Sequence, residues 1–216
     1  MKSRVNLNPG DLQMKAALLL IVFALALPLT AFADGITLTN RFGSIAISNA
    51  GITLIGSQLT SFNGIKAAPG HSLGSVSFST GVLTSGSIAA GGTFSSSGST
   101  FNVTGSGKGV PHGAIFTGSF TGPVTWTLTS KIGANLTYTL SGTISGMLST
   151  GRMVSGTTTQ TIYSTSGQLS QGIGHIRAGS TTLPVPEPNT LVMLGTGLCV
   201  MAGLFRGKFS GLRTIL

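Results

Sequence analysis

Val124-Thr125-Trp126-Thr127-Leu128-Thr129 sets three apolar side chains and three threonines in strict alternation. In an extended chain successive side chains point to opposite faces, so one side of this hexad suits a core and the other suits solvent. Wound as a helix, the same residues would scatter around the axis. Leu136, Tyr138 and Leu140 repeat the pattern, with Thr137 and Thr139 between them. Shorter versions follow in both directions: Ile36 and Leu38, Ile45 and Ile47, Val76 and Phe78, Phe101 and Val103, each pair separated by one residue. Glycine-rich breaks such as Gly91-Gly92 and Gly105-Ser106-Gly107 read as turns, and residues 65–73, with Pro69-Gly70, read as a longer connection. No stretch of this middle region shows a 3.6-residue apolar period, and no fixed repeat runs through it. The pattern predicts an all-β exported domain over residues 34–182, about ten to thirteen antiparallel strands in a sandwich or open barrel.

Composition narrows the chemistry. Only 7% of the 216 residues are charged, against roughly 25% in ordinary soluble domains. The acidic residues are Asp11, Asp34 and Glu187, so no carboxylate lies between Gly35 and Pro186. Paired carboxylates for glycoside hydrolysis, a hard-anion cage for calcium or magnesium, and the third member of a Ser-His-Asp arrangement are all missing there. His71, His112 and His175 have no local metal-ligand spacing and sit beside glycine or proline, as loop residues do. Cys199 is the single cysteine, so no disulfide framework forms within the chain. The expectation is a non-enzyme, with no catalytic residues, no metal site and no cofactor.

The net charge of +9 is spread out. Lys2, Arg4 and Lys15 lie near the start, Arg206, Lys208 and Arg213 near the end, and Arg41, Lys66, Lys108, Lys131, Arg152 and Arg177 singly between. Nucleic-acid binding needs a basic cluster interleaved with aromatics, and none is legible. Two binding surfaces remain conceivable. Thr125, Thr127, Thr129, Thr137 and Thr139 could lie side by side on one sheet face and match a glycan or an ice lattice; high strand propensity alone also accounts for them. Trp126, Tyr138 and Tyr163 could line a carbohydrate platform, although a tryptophan inside an alternating strand more commonly packs in a core.

Both ends read as targeting segments. Lys15, the apolar run Ala16 to Leu27, Pro28, and Ala31-Phe32-Ala33 before Asp34 have the parts of a signal peptide over residues 1–33, with the peptidase site at Ala31, Ala33 and Asp34. Met14 followed by Lys15 also has the form of a translation start. Residues 183–216 hold Pro186-Glu187-Pro188, a stiff extended linker, then an uncharged run from Thr190 to Phe205 and the basic Arg206, Lys208 and Arg213. As a helix that run spans about 24 Å, short for a bilayer of about 30 Å, and the basic residues hold its far end in the cytoplasm.

This order of motif, apolar span with Leu194-Gly195-Thr196-Gly197-Leu198, and basic tail resembles the PEP-CTERM sorting domain of bacterial exopolysaccharide producers. Asn189 and the apolar Ile215-Leu216 depart from the usual pattern. Such a segment is also named an ice-binding protein C-terminal domain, which says nothing of ice. The N-terminal segment implies export through the Sec translocon and cleavage by signal peptidase; the resemblance implies recognition of Pro186, Glu187 and Pro188 by exosortase, removal of a transient C-terminal membrane helix, and release to the cell surface or extracellular matrix. Together with the low charge and the high Gly, Ser and Thr content, this route leads to the expectation of a structural or adhesive role at the cell surface or in an extracellular biofilm matrix, with exopolysaccharide as a candidate partner. A permanent C-terminal anchor is the alternative topology.

Overall fold

The hexad around Trp126 lies in a strand buried on one side only: Val124 and Trp126 are covered while Thr125 and Thr127 face out. The computed structural model describes residues 35–184, and the same division runs through most of its strands. The signal peptide, the Pro-Glu-Pro motif, the apolar C-terminal run, its basic tail and Cys199 lie outside the described residues. In chain order the strands are β1 (Ile36–Arg41), β2 (Ser44–Ser48), β3 (Gly51–Phe62), β4 (Ile65–Lys66), β5 (Gly74–Ser79), β6 (Leu83–Ser87) and β7 (Gly91–Phe94). They continue with β8 (Thr100–Gly105), β9 (Gly113–Phe120), β10 (Val124–Ile132), β11 (Asn135–Leu148), β12 (Met153–Thr165) and β13 (Ile173–Leu183). One five-residue helix, α1 (Ser166–Ser170), joins β12 to β13. Its capping box is complete: the Thr165 side chain accepts from the Gln168 N–H, and the Gln168 side chain from the Thr165 N–H.

Every strand pairing is antiparallel, and the sheet closes. Going round, β3, β5, β8, β9, β11, β12, β13 and β1 each pair with the next, and β1 returns to β3, giving an eight-stranded barrel. The all-β, antiparallel expectation holds; the sandwich or open barrel does not. Alternation records which face each residue takes, not which strands meet at the end of the sheet. Closure depends on bulges, which bend a strand and increase its twist. They occur in the β1–β3, β3–β5, β8–β9 and β12–β13 ladders.

Five strands lie outside the ring, the two-residue β4 folding back on β3. β2 continues the line of β1 between β3 and β13, after a break at Phe42-Gly43. β10 continues the line of β9 along β11. The hairpin β6–β7, inserted between β5 and β8, pairs with β10. Gly91-Gly92 therefore sit inside a strand and not in the turn expected of them. A Cβ on Gly92 would overlap the Ser85 carbonyl across the hairpin, so the close approach requires glycine.

The interior is filled. Phe78 and Phe101 stack with centroids 6.0 Å apart, and Phe120 stands edge-on to both. Trp126 stacks on Tyr138 at 4.4 Å. Their polar ends are satisfied by the β6–β7 turn: Trp126 Nε1–H donates to the Ile88 carbonyl at 2.8 Å and the Tyr138 hydroxyl to that of Ala89 at 2.7 Å. Outward positions are mainly threonine and serine. A lipid-embedded barrel has an apolar band outside, the reverse of this arrangement. Among the described residues no helix is long and apolar enough to cross a membrane.

One side of the interior is polar. Asn40 Nδ2 donates to Ser57 Oγ at 2.8 Å and to Gln160 Oε1 at 2.9 Å, and Gln160 Nε2 donates to Thr158 Oγ1 at 2.9 Å. Thr158 and Thr181 share a hydroxyl bond of 2.8 Å, and Ser57 Oγ–H donates to the Arg41 carbonyl at 3.1 Å. All five side chains are buried, and no buried side-chain polar atom of the described residues lacks a partner. Gly179 lies against this group: a Cβ there would overlap Asn40 Oδ1 and Gln160 Oε1.

Gly179→Ala should therefore cost about 2–3 kcal/mol through overpacking of a polar cluster, seen as a lower urea midpoint at unchanged slope. A second outcome concerns alkali. Burial pushes the Tyr138 phenol above its ordinary 10.0, so folding favours the protonated form. That contribution is complete below the unfolded value and is lost as pH rises through the folded one. Tyr138→Phe should be less stable than the parent by about 1 kcal/mol at neutral pH, with the gap narrowing above pH 10 in pH-dependent urea titrations.

Candidate binding face and cleft

Register turns scattered threonines into rows. Thr125 of β10 faces Ser141 of β11, which faces Thr159 of β12, then Ser180 of β13, Thr39 of β1 and Ser61 of β3. This hydroxyl row crosses six strands without a break. A second row runs Thr143, Thr157, Thr182, Thr37, and a third Thr127, Thr139, Thr161. Neighbouring strands stand about 4.8 Å apart, and same-face residues along a strand about 7 Å, so the rows form a grid of hydroxyls and methyls.

The five threonines singled out from sequence occupy one end of this grid. Thr127 lies directly opposite Thr139, while Thr125 faces Ser141. Thr129 falls in a bulge and donates its hydroxyl to the Thr137 carbonyl at 3.0 Å, which takes it out of register. Most of the grid, Thr37, Thr39, Thr157, Thr159, Thr161, Ser180 and Thr182, was not singled out. Thr157-Thr158-Thr159 and Ser180-Thr181-Thr182 were visible as runs, but their alignment depends on pairings across the closed sheet.

Over part of the grid an open cleft of about 700 Å³ lies on the outer faces of β1, β12 and β13. Its far wall is the connection after β3, which the sequence shapes in two steps. Asn63-Gly64 forms a tight hairpin turn with positive φ at both residues, 47° and 80°, and β4 folds back on β3. Asn63 also clamps β1: its N–H donates to the Thr37 carbonyl at 2.8 Å, and its Oδ1 accepts from the Thr37 N–H at 2.9 Å. Next, Pro69-Gly70, with Gly70 at φ 78°, closes a turn in which the His71 N–H donates to the Ala68 carbonyl at 3.0 Å. Lys66 and His71 thereby line the cleft together with Arg41 and Gln58.

Phe42 occupies the mouth. It is 61% exposed, although large and apolar, and its φ is +62°, where a bulky side chain is an outlier. The strain is held from both sides. The Phe42 N–H donates to the Ile176 carbonyl at 3.1 Å, and the next residue, Gly43 at φ 91°, sits so close to Ser57 that a Cβ would meet its backbone at 2.8 Å. Backbone strain fixed in this way concentrates at functional positions.

The other sequence candidates fall elsewhere. Trp126 and Tyr138 are 1% and 0% exposed and form no platform; Tyr163, half-buried, donates its hydroxyl to Asn135 Oδ1. His71 lines the cleft, His175 lies by Tyr163 and Arg177, and His112 is in the β8–β9 connection. Among the described residues no three His, Cys, Asp or Glu side chains gather as a metal site would require. Neither Arg41 nor Lys66 has a carboxylate partner within residues 35–184, because that stretch contains none. Comparison with family models, curated proteins and solved structures finds no significant match.

If the Asn63 clamp builds the cleft wall, Asn63→Ala should lower stability by about 1–2 kcal/mol and speed amide exchange at Thr37, whereas Asn63→Gly, which keeps the positive φ, should lose less. Urea titration and hydrogen exchange measure both.

Proposed function

We propose that this chain is an exported, non-catalytic protein of the cell surface or extracellular matrix, sorted by a PEP-CTERM-type segment, whose barrel adheres to extracellular polysaccharide. The observation that carries the adhesive part is the hydroxyl row through Thr125, Ser141, Thr159, Ser180, Thr39 and Ser61. Threonine and serine offer donors, acceptors and small apolar surface at a regular pitch, which suits a polyhydroxylated polymer that also presents alternating hydroxyls and C–H faces. The absence of carboxylates from Gly35 to Pro186 removes charge repulsion toward acidic glycans.

Delivery rests on the ends of the chain. Ala31, Ala33 and Asp34 would be read by signal peptidase, and Pro186, Glu187 and Pro188 by exosortase. An ice-binding role fits less well. Matching a lattice requires a flat array, and this grid bends around six strand positions of an eight-stranded barrel. A glycan chain bends with the surface.

In cells that carry an exosortase, protein recovered from the envelope or medium should have a mass lacking residues 1–33 and the span beyond Pro188. Full-length precursor in the cytosol would overturn the route, and an intact C-terminus in the membrane would mean a permanent anchor. For the face, Thr159→Gln with Ser180→Gln should weaken retention of the full-length protein in dextran-containing gels by about fivefold, by breaking the central row. Unaltered mobility of the parent in every polysaccharide gel would overturn the adhesive reading while leaving delivery intact.

A further inference from the structure

The cleft differs from the hydroxyl grid in kind. Within one concave surface it gathers two of the six cationic side chains of residues 35–184, Arg41 and Lys66, together with His71. It adds the Gln58 amide, the hydroxyls of Thr39, Thr60, Thr159 and Ser180, and the exposed ring of Phe42. Each element has a separate recognition chemistry. A guanidinium accepts a carboxylate in a bidentate fork, and an ammonium adds a point charge. An aromatic ring held outward stacks on the C–H face of a pyranose, and hydroxyl and amide groups bond its equatorial hydroxyls. The ligand with a carboxylate, a C–H face and several hydroxyls on one ring is a uronic acid.

The geometry points to the Arg41–Phe42–Lys66–His71 cleft as a subsite for a carboxylate-bearing glycan, a uronate unit within a longer chain; this rests on the glycan reading given above. Two features separate it from general surface basicity. Phe42 is kept exposed at a strained φ by a clamp on either side, although a polar residue or glycine would serve a plain turn better. The segment carrying Lys66 and His71 is also shaped, by Asn63-Gly64 and Pro69-Gly70, so that both residues line one cleft with Thr39 and Arg41 of β1. The first hydroxyl row enters the cleft at Thr159, Ser180 and Thr39, so a chain lying on the grid would reach the basic residues without leaving the surface.

Affinity gel electrophoresis of the full-length protein tests this with polygalacturonate, dextran and polyglutamate at fixed, near-physiological salt. Polygalacturonate should bind about tenfold more tightly than dextran, and also more tightly than polyglutamate, which has the charge without the sugar. Arg41→Gln and Lys66→Gln should each reduce polygalacturonate affinity about five- to tenfold, while Lys131→Gln, outside the cleft, changes it less than twofold. Phe42→Gly suits the positive φ and keeps the fold, so a loss of about fivefold at unchanged thermal midpoint assigns the ring to the ligand. The subsite is overturned if dextran binds as well as polygalacturonate, if polyglutamate matches polygalacturonate, or if Lys131→Gln weakens binding as much as Lys66→Gln. Dextran binding with no preference for the uronate polymer would remove the subsite alone; loss of all polysaccharide binding would remove the adhesive reading with it.

Discussion

The closing strand is held by a hydrogen-bonded cluster. β1 is the element through which β13 returns to β3, and Asn40 at its inner face links three other strands: Ser57 on β3 and Gln160 on β12 directly, and Thr181 on β13 through Gln160 and Thr158. Apolar contacts tolerate a slide of one strand against another if the faces still match. A fully paired amide does not, because a two-residue slip leaves several buried donors and acceptors unsatisfied, each costing about 1–3 kcal/mol. The cluster thus sets register where the ladder is most irregular, next to the β1–β3 bulge between Thr39 and Asn40. Gly179 is the space that lets the two amides meet inside the wall.

That constraint reaches the outer surface. Because inner and outer residues alternate, fixing Asn40 between Ser57 and Gln160 also fixes Thr39 opposite Ser180 and Ser61. A change of register by one residue would turn the hydroxyls inward and the leucines outward. The Phe42-Gly43 break follows two residues after Asn40, and Ser57, bonded to Asn40, is also the residue against which Gly43 rests. The buried cluster and the strained aromatic are neighbours along one short segment, and the inner group holds the outer one in place.

Much of this was legible in the chain and some was not, for identifiable reasons. The alternation about Trp126 and Tyr138 named the strands and their buried faces, because a period of two is local. Closure was not legible, since it depends on β1 meeting β13 at a separation of more than a hundred residues. Asn40, Gln160 and Thr158 read as ordinary polar residues, because nothing in sequence says that an amide at an inward position will find a partner from another strand. Phe42 carries no local signal of a site, because an Arg-Phe-Gly triplet shows no period. The Phe-Gly pair before Ser44, between two alternating segments, was the available signal for a break with a positive φ.

The scarcity of charge has a consequence for the surface as a whole. An ordinary domain stays apart from its neighbours with carboxylates and ammonium groups, and this one has six cations and no anions across residues 35–184. Closing the sheet is the compensating device: it removes the free edges through which uncharged, threonine-rich strands would pair between molecules. The exceptions among the described residues are the two-residue β4, paired with β3 alone, and the hairpin β6–β7, with β6 lying at the end of the strand order. β6 is kept short, and Gly86 at φ 79° interrupts it. A barrel protected by closure can leave its outer threonines free of ionic neighbours, and a neutral hydroxyl surface of that kind can lie against a hydrated polymer without first displacing counter-ions. Charge is then available where it discriminates, at Arg41 and Lys66, and does not need to be spread over the whole face.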